Sequence, residues 1–234
     1  MNVLAFDTCF AAASAAVRWR SARGEWLLHE NYEAIATGHA ERLLPMIDSV
    51  MIGAGLTFAD IDRIAVTLGP GSFTGLRASI AAARALALAA GKPVVGLSSL
   101  EAMAERASLL LGIRRESRKL AVAVDARRGA NYVQIFGENI GEPLSPPQLL
   151  TAAEAAAMLP AGAVVLVGSG GPAIASAAGR ADVEAVLPDL QPHARQLAML
   201  APFLPVLDRV TPMYLRAADA KPSTAPSLSR RIGP

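Results

Sequence analysis

Two aspartates stand at matching places in the sequence, each directly after a short apolar stretch. Asp7 follows residues 3–6 and precedes Thr8, while Asp125 follows residues 120–124. Carboxylates in such positions can hold Mg²⁺ against the phosphates of a nucleotide. The alternative is that both side chains only cap turns at the ends of strands. Asp7 and Thr8 are therefore candidate cofactor-binding residues, with a magnesium nucleotide as the ligand.

The residues beside the two aspartates depart from a working phosphate loop. Such loops place glycine near the aspartate, so that backbone amides can wrap around the phosphate. Here a bulky Phe10 comes soon after Thr8, and Ala126 follows Asp125. These departures leave an independent ATPase or kinase as the alternative function, with the glycines at 168–171 as at most a degenerate nucleotide contact.

Metal-dependent hydrolysis would require closely spaced histidines, since two imidazoles at i and i+4 can share one ion. His29, His39 and His193 are too far apart for this, so neither a histidine-pair metal site nor peptidase activity is expected. No serine, cysteine or carboxylate stands at triad spacing from His39, which favours a helix N-terminal or interface role. Cys9 has no basic neighbour in the sequence, and a small buried thiol is the better interpretation.

A glycine-rich turn is the most distinctive stretch of the chain. It follows the β-branched, apolar residues 64–68 and precedes residues at helical spacing, which predicts strand, turn and helix in that order. Ser72 or Thr74 can cap the helix, and its free N–H groups could attract an anion. With poor phosphate loops elsewhere, we interpret it as a rigid turn that aims the helix at a partner. The turn comprises Gly69, Pro70, Gly71, Ser72, Phe73, Thr74 and Gly75.

The composition bounds the class of protein. The 234 residues are 53% hydrophobic and 18% charged, enough for one large domain or two small ones. A formal charge of +2 is too weak for a dedicated nucleic-acid binder. The single cysteine rules out an intrachain disulfide and fits a reducing compartment. The N-terminus lacks a basic region, and arginines break the longest apolar stretch, so we expect a cytoplasmic protein with no membrane segment.

The order of predicted elements occurs twice. Three strands, a helix, a strand, a helix, a strand and a helix are followed by strands that begin again near residue 120. Two similar α/β halves explain this order, with mixed sheets flanked by helices. We place the first lobe at 1–112, the second at 113–216 and a flexible tail at 217–234. Predicted strands cover 3–6, 11–19, 25–32, 64–68, 94–97, 120–124, 131–136 and 163–167. Three predicted helices start at 39, 76 and 99, and two further helices are predicted at 152–158 and 193–204.

Four segments together resemble the bacterial TsaB (YeaZ) family. They are IDRIAVTLGPGSFTGLR at 61–77, HAERLLP at 39–45, VDAR at 124–127 and PMYLR at 212–216. The resemblance covers nearly the whole chain up to the tail. It implies two ribonuclease-H-like lobes, the duplicated fold of actin, sugar kinases and the Hsp70 ATPase domain.

The resemblance also implies a function. The chain would be a non-catalytic subunit that scaffolds and activates a TsaD-type threonylcarbamoyltransferase, which forms N6-threonylcarbamoyladenosine in tRNAs reading codons that begin with A. The implied partners are the TsaD-like catalytic paralogue, a TsaE-like ATPase and a second copy of the chain, with tRNA bound only through the complex. No cofactor is expected to bind tightly, although ATP or ADP with Mg²⁺ could be shared with a partner subunit.

Helices of the first half are the expected partner surface in this family. The stripe of large apolar residues in the helix from His39 covers a wider arc than one buried face requires, which indicates a second use. The following alanine-rich helix would allow close approach of a partner's helices. The predicted interface comprises His39, Leu43, Met46, Ile47, Val50, Arg77, Ile80 and Arg84.

Overall fold

The computed structural model describes residues 1–112, 118–141 and 143–216. The predicted tail at 217–234 and residues 113–117, with which the predicted second lobe begins, lie outside the described residues.

The first sheet has five strands in the order β3-β2-β1-β4-β5. β1, β2 and β3 form an antiparallel meander, while β4 pairs with β1, and β5 with β4, in parallel. β1 is fully buried and apolar up to its last residue, Asp7, as a central strand covered on both faces should be. The strands are β1 (Val3–Asp7), β2 (Ala12–Arg20), β3 (Trp26–Ala34), β4 (Arg63–Thr67) and β5 (Val94–Leu97).

The second sheet repeats this arrangement, with the order β10-β9-β6-β7-β8. Its central strand again pairs with an antiparallel neighbour on one side and a parallel one on the other. The predicted class of two similar α/β lobes is confirmed, although the sequence did not indicate β8 and β10. The strands are β6 (Lys119–Asp125), β7 (Ala130–Phe136), β8 (Gln148–Thr151), β9 (Val164–Val167) and β10 (Val183–Val186).

In the part of the chain that the structure describes, five helices connect these strands, a sixth follows β10, and several are capped, α2 by the predicted Ser72. Ser72 is the N-cap of α2, Ser98 forms a capping box with Glu101 at the start of α3, and Gly55 ends α1 in the left-handed conformation. Pro45 lies inside α1, on its exposed side. The helices are α1 (His39–Ala54), α2 (Phe73–Ala90), α3 (Ser99–Leu111), α4 (Ala152–Met158), α5 (Gly171–Ala178) and α6 (Ala194–Leu200), and short 3₁₀ turns occupy Phe58–Asp60 and Ala201–Phe203.

The two halves exchange helices. α3 packs on the second sheet, where Met103 and Leu100 join a core with Val122 and Val167 of β6 and β9. α6 packs on the first sheet through Ala194, Leu197 and Ala198, which cover Val3, Ala5 and Ala65. α6, which we predicted within the second lobe, therefore lies on the first sheet, because a face of that sheet supplies its apolar contacts. Otherwise the lobe limits stay a prediction.

Within the part of the chain that the structure describes, α2 alone is long and apolar enough to cross a membrane by length and composition. This is weak evidence, because core helices of soluble proteins meet the same criteria. α2 packs against α1 and β4, with 28% of its 18 residues buried, so a large part of its surface remains exposed.

Candidate functional site

A cleft of about 1030 Å³ opens between the two sheets. The starts of α1 and α2 and the glycine turn form one wall, the β6–β7 turn forms the other, and the C-terminal segment 213–216 crosses between them. Its lining combines aromatic rings with charges of both signs, including Phe10, Phe73, Tyr132, Tyr214, Glu41, Asp125, Asp189, Arg127 and Arg216.

The glycine turn is pressed against the connection between β1 and β2. The Ser72 amide donates to the Cys9 carbonyl at 2.7 Å, and the Ser72 hydroxyl accepts from the Gly75 amide at 3.1 Å. A Cβ atom on Gly75 would lie 1.9 Å from the Thr8 carbonyl oxygen, and one on Gly71 would lie 2.6 Å from that of Cys9. Only glycine fits at these two positions, so the start of α2 is fixed relative to β1.

Asp7 and Thr8, the candidate cofactor ligands, lie inside the first lobe rather than in the cleft. Both are fully buried. The Thr67 hydroxyl and the Cys9 amide donate to the Asp7 carboxylate, and burial raises the pKa of that carboxyl. The Thr8 hydroxyl donates to the Gly75 carbonyl at 2.7 Å. The prediction that these two side chains contact a cofactor is therefore corrected, because their polar atoms are engaged within the chain.

Asp125 stands in a different environment from its counterpart. It is exposed and lines the cleft, where its carboxylate accepts the Arg127 amide at 2.7 Å and its own amide donates to the Ser169 hydroxyl at 3.0 Å. Arg127 and Arg128 both have positive φ, 62° and 56°, so this turn holds an uncommon conformation. Across residues 1–112, 118–141 and 143–216, no group of three or more His, Cys, Asp and Glu is placed to hold a metal ion.

His39 and Cys9 take structural positions. His39 is the first residue of α1, and its Nε2 lies 2.7 Å from the Phe10 carbonyl oxygen, an arrangement that ties the helix to the cleft wall. Cys9 is buried with its thiol 3.0 Å from the Thr67 hydroxyl. Burial, with the nearby Asp7 carboxylate, raises the pKa of this thiol well above its usual value.

Most of the predicted partner interface lies in the chain's own core. The prediction was wrong for six residues: strands and the neighbouring helix pack against the apolar stripe of α1 and the inner face of α2, and His39 is bound to the Phe10 carbonyl. Arg84 donates to the Val210 carbonyl at 2.9 Å, while Arg77 is exposed and its guanidinium lies 4.0 Å from the centre of the Phe73 ring. The six buried residues, each at most 8% exposed, are His39, Leu43, Met46, Ile47, Val50 and Ile80.

The exposed side of the same two helices carries other large apolar residues that we did not select. Leu44 and Ile52 of α1 are 54% and 78% exposed, and Leu88 of α2 is 87% exposed. We call Leu44, Ile52 and Leu88 the outer apolar patch. Leu44 and Ile52 stand two helical turns apart among charged and polar residues, a pattern visible in the sequence.

Comparison with known proteins places the chain in a family. A family model described as "TsaD: tRNA N6-adenosine threonylcarbamoyltransferase" matches residues 32–200. The tRNA threonylcarbamoyladenosine biosynthesis protein TsaB of Escherichia coli K12 is 36% identical over 132 residues, 56% of this chain and 53% of that protein. The TsaB protein of Haemophilus influenzae is 37% identical over 60% of this chain and 56% of its own length. These matches span about half the length of both relatives.

The solved structures cover more of the chain. YeaZ from Pseudomonas aeruginosa is 30% identical, covers 92% of this chain and is itself covered to 99%, with a TM-score of 0.76. A threonylcarbamoyltransferase of Erythrobacter litoralis is 49% identical over 69 residues, but these are only 20% of that protein. The chain therefore agrees with YeaZ over nearly its whole length, whereas its match to the threonylcarbamoyltransferase is confined to 69 residues. The chain belongs to the TsaB (YeaZ) family and has a fold of two similar α/β lobes.

Proposed function

We propose that the chain is a non-catalytic subunit that binds and activates a TsaD-type threonylcarbamoyltransferase, which forms N6-threonylcarbamoyladenosine in tRNAs reading codons that begin with A. The observation that supports this proposal most directly is the outer apolar patch. It lies on two long adjacent helices whose opposite sides already complete the core. The family's link to this tRNA modification supplies the reaction.

The patch has the properties of a helix-packing surface. Leu88 is 87% exposed, and full burial of a leucine side chain contributes about 1.5–3 kcal/mol. Ala81 and Ala85 are exposed on the same helix, and small side chains allow a partner's helix to approach closely. Two helices can supply the roughly 800 Å² per partner that a stable interface buries.

The engaged Asp7 and Thr8 side chains support a subunit rather than an independent enzyme. In the proposed complex the TsaD-like paralogue performs the transfer, a TsaE-like ATPase joins it, and tRNA is held through the complex in the cytoplasm. A second copy of this chain would use the outer apolar patch as well. The two complexes would then compete for one surface.

Reconstitution tests this proposal. The purified chain is mixed with a TsaD-like paralogue, and both association and threonylcarbamoyl transfer to tRNA are measured. We expect Leu88→Glu to abolish both, because it places a charge in the packed surface. Phe203→Glu is the matched control, since Phe203 is 85% exposed but lies on the 3₁₀ turn after α6. Transfer by the isolated chain, or equal loss in both variants, would contradict the proposal.

The alternative, an independent ATPase of this fold, draws support from the open cleft and the exposed Asp125. Calorimetry with ATP and Mg²⁺ on the isolated chain separates the two functions. A binding isotherm without a partner, abolished by Asp125→Asn, would favour the ATPase. Binding that appears only in the complex would instead agree with a nucleotide shared across subunits.

A further inference from the structure

The segment PMYLR at 212–216 belongs to the family resemblance but has no part in the proposed partner surface. Residues 207–216 are bonded to the first lobe at Leu207 and Met213, line the cleft at 213–216 and reach the second lobe at Arg216. We call these residues the C-terminal strap. We infer that the strap is an interlobe clasp, in which the Arg216 guanidinium binds the β6–β7 turn and limits how far the cleft opens.

The strap is anchored on the first lobe at several points along its length. The Leu207 amide donates to the Val94 carbonyl at 2.9 Å, and Val210 is buried in the core with its carbonyl bound by Arg84. The Met213 amide donates to the Leu68 carbonyl at 2.6 Å. These bonds fix the strap to β5, α2 and the end of β4 in turn.

The strap also packs against the glycine turn. A Cβ atom on Gly69 would lie 2.8 Å from the Met213 carbonyl oxygen, so backbone approaches backbone closely there. The Tyr214 ring lies 5.3 Å from the ring of Phe73 at the start of α2, and Arg77 covers Phe73 in turn. Through these contacts the last residues of the strap are held at a fixed place relative to α2.

The far end of the strap binds the opposite lobe. Arg216 donates to the Ala126 carbonyl at 2.8 Å through Nη1 and to the Arg127 carbonyl at 3.2 Å through Nη2. The planar fork of a guanidinium suits two neighbouring acceptors, and hydrogen bonds from a charged donor are about twice as strong as neutral ones. Because both acceptors belong to the β6–β7 turn, this pair of bonds spans the two lobes.

Arg216 and its two acceptors line the cleft, so their bonds lie where they can limit its opening. The bond between the Ser98 hydroxyl and Gln134 also joins the lobes, but it is buried between them, whereas Arg216 acts at the cleft lining. A bond at the mouth opposes opening directly, since opening would have to break it. Release of Arg216 should therefore free the β6–β7 turn and widen the cleft while the first-lobe anchors stay in place.

Hydrogen exchange and a distance measurement test the clasp on the full chain. Arg216→Ala removes both donors, Arg216→Lys keeps the charge but not the fork, and Arg209→Ala is the matched control, an exposed arginine on the same strap. Amide exchange is followed in peptides covering 125–131. Spin labels on Thr74→Cys at the start of α2 and Ala173→Cys in α5 report the distance between the two lobes, and the native Cys9 does not interfere because it is fully buried.

We expect exchange in the turn to be roughly tenfold faster or more in Arg216→Ala, in line with the loss of charged hydrogen bonds, with a smaller rise in Arg216→Lys. The distance distribution should widen toward longer values in the same order, while Arg209→Ala matches the parent. Unchanged exchange and distance in Arg216→Ala, or the same change in Arg209→Ala, would overturn the inference. If Arg216→Ala does not fold, the lysine variant decides by the same readouts.

Discussion

The Thr67 hydroxyl donates a hydrogen bond to the Asp7 carboxylate, and the Cys9 thiol in turn lies 3.0 Å from that hydroxyl. All three side chains are fully buried at the ends of β1 and β4. Asp7, which we predicted to contact a nucleotide, instead joins β1 to β4 through this hydrogen bond. Burial raises the pKa of its carboxyl because it disfavours the charged form. The hydrogen bond from Thr67 acts in the opposite direction and stabilises the ionised carboxylate.

Thr67→Val should lower the free energy of unfolding by about 1–3 kcal/mol, because it removes the donor and leaves a buried carboxylate oxygen less well satisfied. Chemical denaturation measures the change. Thr37→Val is the control, since Thr37 is exposed, and it should differ from the parent by no more than about 0.5 kcal/mol. Equal stability of the two variants would show that the Thr67–Asp7 bond contributes nothing.

Gly75→Ala should destabilise the chain by about 1–3 kcal/mol or more, because the new Cβ would lie 1.9 Å from the Thr8 carbonyl oxygen and the backbone must shift. Gly137→Ala serves as the comparison, since its Cβ would find nothing closer than 3.8 Å. Thermal denaturation of both proteins checks this. A Gly75→Ala protein as stable as Gly137→Ala would mean that α2 is free to move relative to β1.

His193 gives the protein a predicted pH dependence. Its ring stacks on Tyr32 at 4.9 Å, and its Nδ1 accepts the Arg195 amide at 3.1 Å. Burial lowers the pKa of His193 from 6.5 to about 4; Glu30 opposes this shift, and Arg106 and Arg195 reinforce it. The folded state thus holds the imidazole neutral, whereas the unfolded chain binds a proton as soon as the pH falls below about 6.5.

The free energy of unfolding should therefore decrease as the pH falls from about 6.5 to about 4, because the unfolded state takes up the proton first. His193→Asn keeps a side chain that can cap α6 but does not titrate, so it should flatten this part of the curve. Denaturation at several pH values in this window measures both slopes. Identical slopes in parent and variant would contradict the assignment to His193.

Cys9 should be inert in the folded protein. Its thiol is fully buried and its pKa is raised, so almost no thiolate is available for reaction near neutral pH. A thiol-reactive dye should label it only at the rate at which the chain unfolds, and added denaturant should accelerate labelling. Rapid labelling of the native chain would show that the β1–β2 turn opens locally.

The sequence predicted the central elements well because their local patterns agree with their final environment. The strand at 94–97 was predicted with its observed limits, and the helix predicted at 152–158 is α4, capped by Thr151. β8 and β10 were missed because they are short and only partly buried at the edges of the second sheet, so polar residues interrupt or flank them and neither has the continuous apolar run of β9.

The candidate site was harder to predict, because burial depends on which surfaces meet. Asp7 and Asp125 occupy matching positions in the two sheets, but only Asp125 is exposed. The stripe containing Leu43 and Ile47 predicted an apolar face correctly, yet nothing in its spacing says whether a sheet or a partner covers it. Arg216 could be noticed as part of a motif, whereas its acceptors lie about ninety residues away in the chain.

The exchange of α3 and α6 between the halves bears on how the chain is made. The face of the first sheet that holds Val3, Ala5 and Ala65 is covered by α6, which leaves the ribosome some hundred and thirty residues after β4. During synthesis this apolar face stays open until the second half has emerged, a period in which such surfaces promote aggregation. A nascent chain halted after α3 should accordingly need a chaperone, and neither half should be obtained as a stable fragment.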